Sequence, residues 1–121
     1  MLEFSSLPKT WILDIDGTLV IHNGHLHGGD VLLDGVKEFY SKIKDNDTVI
    51  LLTARKDLYL EQLKDFLKTH GLRYDYLLCD MPMGERILVN DDKPSGLKTA
   101  YAVSKKRDEP LNIDFVINES L

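Results

Sequence analysis

Four short apolar runs, each followed by a polar residue, constrain the fold of this chain more than any other feature of its sequence. The runs are residues 11–13, 49–52, 76–79 and 87–89. Runs of this length, apolar on both faces, are typical of strands buried in a parallel sheet. Because the carboxyl ends of parallel strands lie along one edge of a sheet, we expect the polar residues that follow the runs to collect there.

Helical periodicity lies between these runs. Residues 36–43 carry apolar side chains at helical spacing with Asp34 as the expected N-cap, and residues 59–67 repeat the pattern with Gly71 as the expected C-cap. Alternating strands and helices predict an α/β fold with right-handed crossovers. We expect a three-layer sandwich around a mainly parallel, Rossmann-like sheet. A last strand is expected at residues 99–103.

Residues 19–27 follow a different pattern. Two extended runs flank Asn23-Gly24, a pair typical of the type I′ turn of a β-hairpin. We therefore predict a small β-hairpin flap directly after the first strand, placed over the carboxyl edge of the sheet.

Three histidines and the single cysteine invite a catalytic or metal-binding interpretation. His22, His25 and His27 fall in the predicted hairpin, but zinc needs a closed set of ligands and no cysteine lies nearby in sequence. Solvated histidines are therefore favoured over a zinc site. Cys79 ends an apolar run without an evident base beside it, which favours a buried structural residue over a catalytic thiol.

Composition limits the class of protein. The chain has 121 residues, 43% of them apolar, which fits one domain over residues 1–121. Its formal net charge of −5 argues against a basic surface for nucleic acid, although a bound cation can still attract a phosphate locally. One cysteine excludes an intramolecular disulfide and predicts a reducing compartment. With no signal-peptide pattern and no long apolar run, we expect a cytoplasmic protein without a membrane span.

The segment after the first apolar run carries the chemistry. Asp14 and Asp16 are two residues apart, so an extended chain places both carboxylates on one side, where they repel each other. A divalent cation would relieve that repulsion, and Mg²⁺ prefers oxygen ligands of this kind. Gly17 allows the sharp departure of the backbone that follows. Thr53 and Asp91 follow two of the other predicted strands and are expected at the same edge.

These motifs resemble the signatures of the haloacid dehalogenase-like phosphatases. The resemblance covers residues 11–103 and points to the small branch of the family that has no cap domain or a minimal one. The matching segments are, in chain order, Asp14-Ile15-Asp16-Gly17-Thr18, Leu51-Leu52-Thr53 and Val89-Asn90-Asp91-Asp92.

The resemblance implies a role for each matching residue. Asp14 would attack phosphorus and form an aspartyl-phosphate, and Asp16 would protonate the leaving oxygen and later activate water. Thr53 would hold phosphate oxygens. Mg²⁺ would be bound by Asp14, Asp16 and Asp91, with Asp92 as the alternative to Asp91.

The sequence departs from the family pattern in one place. The family usually has a lysine before the acidic pair, and here that region reads Gly84-Glu85-Arg86. Either Arg86 or Lys93 could supply the missing cation. We favour Lys93 as the phosphate-binding residue because it directly follows the acidic pair, whereas Arg86 begins the predicted strand and would lie at the opposite edge.

Each candidate residue also has a purely structural interpretation. The Asp14-Asp16 segment could be a solvated loop, Thr53 a helix N-cap and Asp91-Asp92 an acidic turn. Arg55 could equally contact a substrate or pair with an acidic helix.

The resemblance favours a phosphomonoester hydrolase acting on a phosphorylated sugar or a similar metabolite. Without a large cap, a bulky substrate or a neighbouring subunit would have to cover the site, so a homo-oligomer is expected. Two alternatives remain. One is a signalling receiver domain, which also uses Asp, Thr, Lys and Mg²⁺ at strand ends. The other is an inactive regulatory module that binds Mg²⁺ and phosphate without turnover.

Overall fold

Parallel pairing of short strands organises the chain. The computed structural model describes residues 1–121, and its strands form two parallel sheets. Strands β1 (Leu2–Phe4) and β5 (Phe115–Ile117) form the smaller sheet. Strands β2 (Thr10–Asp14), β3 (Thr48–Leu52) and β4 (Tyr76–Leu78) form the larger one in the order β2-β3-β4. The protein therefore has a mixed α/β fold, and three of the predicted strands are confirmed.

The register of the larger sheet positions the site. Thr10 pairs with Thr48 and Asp14 pairs with Leu52, so β2 and β3 end at the same level. Thr53 follows directly, and its main-chain N–H donates to the carbonyl of Leu78 at the end of β4. Asp14 and Thr53 therefore lie at one edge of the sheet, as the sequence predicts.

Two helices cross between these strands. Helix α1 spans Val36–Ser41 and helix α2 spans Leu60–Thr69, preceded by a 3₁₀ turn at Asp57–Tyr59. Gly71 follows α2 with a left-handed φ of 66°, which confirms the predicted C-terminal stop. The N-cap of α1 is Gly35 and not Asp34 as predicted. No helix here combines the length and the apolar character that crossing a bilayer requires.

The core lies between the larger sheet, the helices and the loop after β2. It contains thirteen buried apolar residues, which are Leu13, Ile15, Leu19, Val20, Leu33, Val36, Phe39, Val49, Leu51, Leu63, Leu67, Leu72 and Leu111. Leu111 belongs to the tail, for which the sequence made no prediction. An aromatic cluster of Phe4, Trp11 and Phe115, with ring centroids 5.2 to 6.0 Å apart, joins the two sheets.

The predicted β-hairpin flap is wrong. Gly24–Leu26 forms a 3₁₀ turn, although Asn23 does adopt the left-handed conformation that the prediction required. The chain doubles back later, where Ile21 N–H donates to the carbonyl of Val31. Residues 28 and 29 are glycines with φ of 97° and 119°, and they permit this later reversal.

The predicted strands at residues 87–89 and 99–103 are also wrong. Both segments lack regular structure, and Ile87 and Val89 are 85% and 88% exposed. Arg86 contacts the side chain of Asp14 at the carboxyl edge of β2. Residues 87–89 therefore begin at the carboxyl edge of the sheet. A strand parallel to β2 would have to begin at the opposite, amino edge.

Candidate functional site

Asp14 is the last residue of β2 and is the most accessible carboxylate of the site. One oxygen, Oδ2, accepts a hydrogen bond from the hydroxyl of Thr18 at 2.9 Å. The other, Oδ1, accepts one from Arg86 Nη1 at 2.8 Å. The Asp14 side chain is 35% exposed. A carboxylate held in this way is both oriented and open to a ligand.

A tight loop after β2 sets the direction of these side chains. The carbonyl of Ile15 accepts hydrogen bonds from the N–H groups of Thr18, Leu19 and Val20. Gly17 supports this loop with a φ of 81°, a conformation that side chains disfavour. Ile15 and Leu19 are fully buried, so the core fixes the loop while Asp14 remains at the surface.

Asp16 is held on both of its carboxylate oxygens. Its Oδ2 accepts the hydroxyl of Thr53 at 2.8 Å, and its Oδ1 accepts Nε and Nη2 of Arg55 at 3.0 and 2.8 Å. Thr53 is fully buried, and its Oγ1 also accepts the main-chain N–H of Arg55 at 3.0 Å. Thr53 thus connects β3 to Asp16 through a side-chain contact.

Asp30 completes a buried charged triad with Arg55 and Asp16. Arg55 donates to both oxygens of Asp30, from Nη1 at 3.0 Å and Nη2 at 2.6 Å. The side chains of Arg55 and Asp30 are only 2% and 1% exposed. Arg55 is therefore committed to carboxylates of the protein, which are on loops and not on an acidic helix. Two carboxylates surround one guanidinium, so the triad carries a net negative charge.

Two opposing effects act on the pKa of Arg55. Burial lowers its pKa, while hydrogen bonds to Asp30 and then Asp16 raise it, and the net result is a raised pKa. The guanidinium therefore stays charged inside the protein. Removing Arg55 would leave Asp16 and Asp30 without the cation that they share.

His25 lies beside the triad and does not behave as a solvated hairpin residue. Its ring packs edge-on against Tyr59, with centroids 4.8 Å apart. Its Nδ1 atom is buried without a hydrogen-bond partner. Burial, and then the nearby charge of Arg55, lower the pKa of His25. A neutral ring fits this position.

Asp91 and Lys93 are not joined to this site. Both residues are exposed, and neither side chain forms an ion pair. The main-chain carbonyl of Asp91 accepts the hydroxyl of Thr99. The cation beside Asp14 is Arg86. No group of three or more His, Cys, Asp or Glu side chains is arranged to hold a metal ion.

The oxygen atoms at the end of β2 nevertheless suit Mg²⁺. The carboxylate of Asp14 is accessible, and the main-chain carbonyl of Asp16 accepts no hydrogen bond from the protein. A carboxylate and a carbonyl are two of the oxygen ligands that Mg²⁺ prefers, and water or phosphate commonly supplies the others.

Sequence reasoning missed Asp30, which the structure places in the triad. Asp30 follows Gly28 and Gly29 in a loop, and no local pattern distinguishes it from a solvated acid. Its partner is Arg55, 25 residues away in sequence. Only the folded loop brings the two together, so no sequence signal could have identified the pair.

Comparisons with protein families, with curated proteins and with solved structures gave no match.

Proposed function

We propose that this protein is a Mg²⁺-dependent phosphomonoester hydrolase in which Asp14 is the nucleophile. The observation that carries the proposal is the placement of Asp14: an oriented, accessible carboxylate at the end of β2, with Arg86 on one oxygen and Asp16 two residues away. The resemblance of the surrounding motifs to haloacid dehalogenase-like phosphatases supports it. The proposed substrate is a phosphorylated sugar or a similar metabolite.

The first half of the reaction would transfer the phosphoryl group to Asp14. A carboxylate oxygen attacks phosphorus, and the bond between phosphorus and the leaving oxygen breaks. A carboxylate and a phosphate repel each other, and Arg86 at 2.8 Å from Asp14 would offset that repulsion. Water then attacks the aspartyl-phosphate, which releases inorganic phosphate and restores Asp14.

Asp16 would be the general acid, and its contacts decide how it could act. Both oxygens already accept hydrogen bonds, and the oxygen with fewer donors keeps a lone pair that can carry a proton. Oδ2 has a single donor, the hydroxyl of Thr53, whereas Oδ1 has two from Arg55. A phosphate that accepts the Thr53 hydroxyl would release Oδ2 for the leaving oxygen.

Mg²⁺ would be held by the Asp14 carboxylate and the main-chain carbonyl of Asp16, and it would neutralise charge on the phosphate. Asp91 is the proposed third ligand. The resemblance alone supports this choice, since the Asp91 side chain is exposed and makes no contact with Asp14 or Asp16 here.

A three-layer, Rossmann-like sandwich around the larger sheet stays a prediction. A homo-oligomer that covers the site, and a cytoplasmic location, stay predictions.

The decisive experiment measures phosphate release. Wild-type protein and Asp14→Asn would be given an aryl phosphate and a panel of sugar phosphates, with Mg²⁺ or with EDTA. We expect Mg²⁺-dependent turnover that the substitution lowers by at least ~10³-fold, as removal of a nucleophile usually does. Asp65→Asn, which changes an exposed acid on α2, is the matched control and should retain full activity. Equal turnover by both variants would refute the role of Asp14.

A receiver-like or inactive regulatory module is the second candidate. The observation in its favour is that Asp14 and Asp16 are each already paired with a cation of the protein, Arg86 and Arg55. Acetyl phosphate distinguishes the two functions. A receiver or inactive module would take up at most one phosphoryl group per chain, while the hydrolase would release many.

A further inference from the structure

The C-terminal part of the chain places a positively charged turn against the loop that carries Asp14 and Asp16. This turn, residues 105–108, is called the basic turn below. We propose that it binds a second anionic group on the leaving portion of the substrate. The inference rests on the proposed hydrolase function and adds a substrate class to it: phosphomonoesters whose alcohol carries a carboxylate or a further phosphate.

The basic turn is fixed to Gly17 by three contacts. The carbonyl of Gly17 accepts hydrogen bonds from Lys105 Nζ at 2.9 Å and from the N–H of Asp108 at 3.0 Å. The stem of Arg107 covers Gly17 closely, because a Cβ atom built at Gly17 would lie 3.1 Å from Arg107 Cγ. The turn is therefore anchored one residue beyond Asp16.

The charges of this turn are available to a ligand. Lys106 and Arg107 are exposed, and neither forms an ion pair with the protein. Asp108 uses its carboxylate to accept the N–H of His22 at 2.7 Å. Glu109 forms no ion pair with either cation. In a chain of net charge −5, two unpaired cations beside a catalytic loop would attract an anion locally.

The proposed chemistry gives the direction in which the anion would lie. Asp16 is the group that would protonate the leaving oxygen, so the leaving alcohol departs on the side of Asp16 and Gly17. The remainder of that alcohol would then meet Lys106 and Arg107. These cations would increase the affinity for an alcohol with an anionic substituent, whereas they would not increase the affinity for a neutral alcohol.

The experiment compares two substrates that differ in one charge, phenyl phosphate and 4-carboxyphenyl phosphate. Wild-type protein should prefer the carboxylated substrate. The double variant Lys106→Gln/Arg107→Gln keeps the stem over Gly17 and should raise KM for the carboxylated substrate about tenfold, while phenyl phosphate changes less than about twofold. The matched control, Lys64→Gln/Lys68→Gln on α2, removes the same charge and should alter neither. No preference in the wild type, or an equal loss for both substrates, would overturn the inference.

A binding measurement separates this inference from the hydrolase function. Titration calorimetry at low salt with EDTA would compare pyrophosphate with inorganic phosphate. If no substrate is turned over, the hydrolase proposal fails. Weaker binding of pyrophosphate by the Lys106→Gln/Arg107→Gln variant, but not by the α2 control, would still support the anion site. Pyrophosphate that does not bind the wild type, or binds both variants equally, would refute it.

Discussion

Arg86 contacts Asp14 from a segment with no regular structure. The two side chains are 40% and 35% exposed, and an isolated pair of this kind contributes little to the stability of the fold. Loss of this ion pair should therefore change the activity of the protein more than its stability. The sequence favoured Lys93 as the cation of the site, and the structure places Arg86 there.

Substituting each cation separately tests which one serves the reaction. We expect Arg86→Gln to lower kcat about a hundredfold, because the charge that offsets repulsion between Asp14 and phosphate is lost. Lys93→Gln should stay within about twofold of wild type. The measurement is steady-state phosphate release, with urea denaturation to show that both variants remain folded. A large loss in Lys93→Gln and none in Arg86→Gln would restore the expectation from sequence.

Unlike the exposed pair of Arg86 and Asp14, the triad of Asp16, Arg55 and Asp30 is largely buried. We expect Asp30→Asn to destabilise the protein by ~3 kcal/mol, because the two hydrogen bonds between the buried side chains of Arg55 and Asp30 lose the carboxylate charge. Urea denaturation measures this, with the exposed Asp34→Asn as the control. Equal denaturation midpoints for wild type and Asp30→Asn would contradict the role assigned to the triad.

At the scale of elements, Asp47 ties the start of the larger sheet to the end of the α1 region. Its carboxylate accepts hydrogen bonds from the N–H of Lys9 at 2.9 Å, the indole of Trp11 at 3.0 Å and the N–H of Lys44 at 3.1 Å. Burial alone would raise the pKa of Asp47. The three hydrogen bonds, together with the charge of Lys9, lower the pKa by more than burial raises it, so the net pKa is lowered.

This balance predicts how Asp47 contributes to stability across pH. Because its folded pKa lies below the ordinary value of 3.8, the contribution is complete above that value and is lost as the pH falls through the folded pKa. We expect Asp47→Asn to lose ~2 kcal/mol at pH 7, and the difference from wild type to shrink below about pH 4. Urea denaturation at several pH values measures it, and the exposed Asp45→Asn should show no such trend. A difference that does not change with pH would show that the carboxylate charge is unimportant.

The sequence correctly predicted those elements whose signals lie within a short segment and are not overridden by contacts with distant parts of the chain. Strands β2 and β3 are apolar on both faces and lie next to each other, so the common edge of Asp14 and Thr53 followed from parallel pairing alone. Gly71 ended α2 as expected, because a left-handed residue is needed there.

The failed predictions share a different cause, which is competition from distant parts of the chain. The Asn23-Gly24 pair adopted its favoured left-handed conformation, but the extended return came only after Gly28 and Gly29, where Val31 and Leu33 pair with residues 19–21. Residues 87–89 had the composition of a strand, and the contact of Arg86 with Asp14 placed them at the wrong edge. Neither outcome can be read from a short window of sequence.

At the scale of the whole molecule, Gly35 is where the tail meets the first helix. It has a φ of 87°, and a Cβ atom there would collide with the carbonyl oxygen of Leu111. Leu111 in turn is buried in the core, and its N–H donates to the carbonyl of Asp34 at 2.8 Å. This contact joins residues that are far apart in sequence.

Gly35→Ala tests whether that junction matters to the whole fold. We expect a loss of more than ~1 kcal/mol in the free energy of unfolding, from the left-handed backbone and from displacement of Leu111 together. Gly28→Ala also has a positive φ but open space around it, so it isolates the backbone effect. Equal losses in the two variants would show that the contact with Leu111 adds nothing.

The pairing of β1 with β5 has a consequence for how the protein folds. Leu2 and Phe115 are partners although more than a hundred residues separate them, so this sheet cannot form until a very long loop has closed. Strands β2, β3 and β4 connect over shorter distances and should assemble first. During that interval Phe4, Trp11 and Phe115 lack each other as partners, and early refolding is the stage at which this chain should be most prone to self-association.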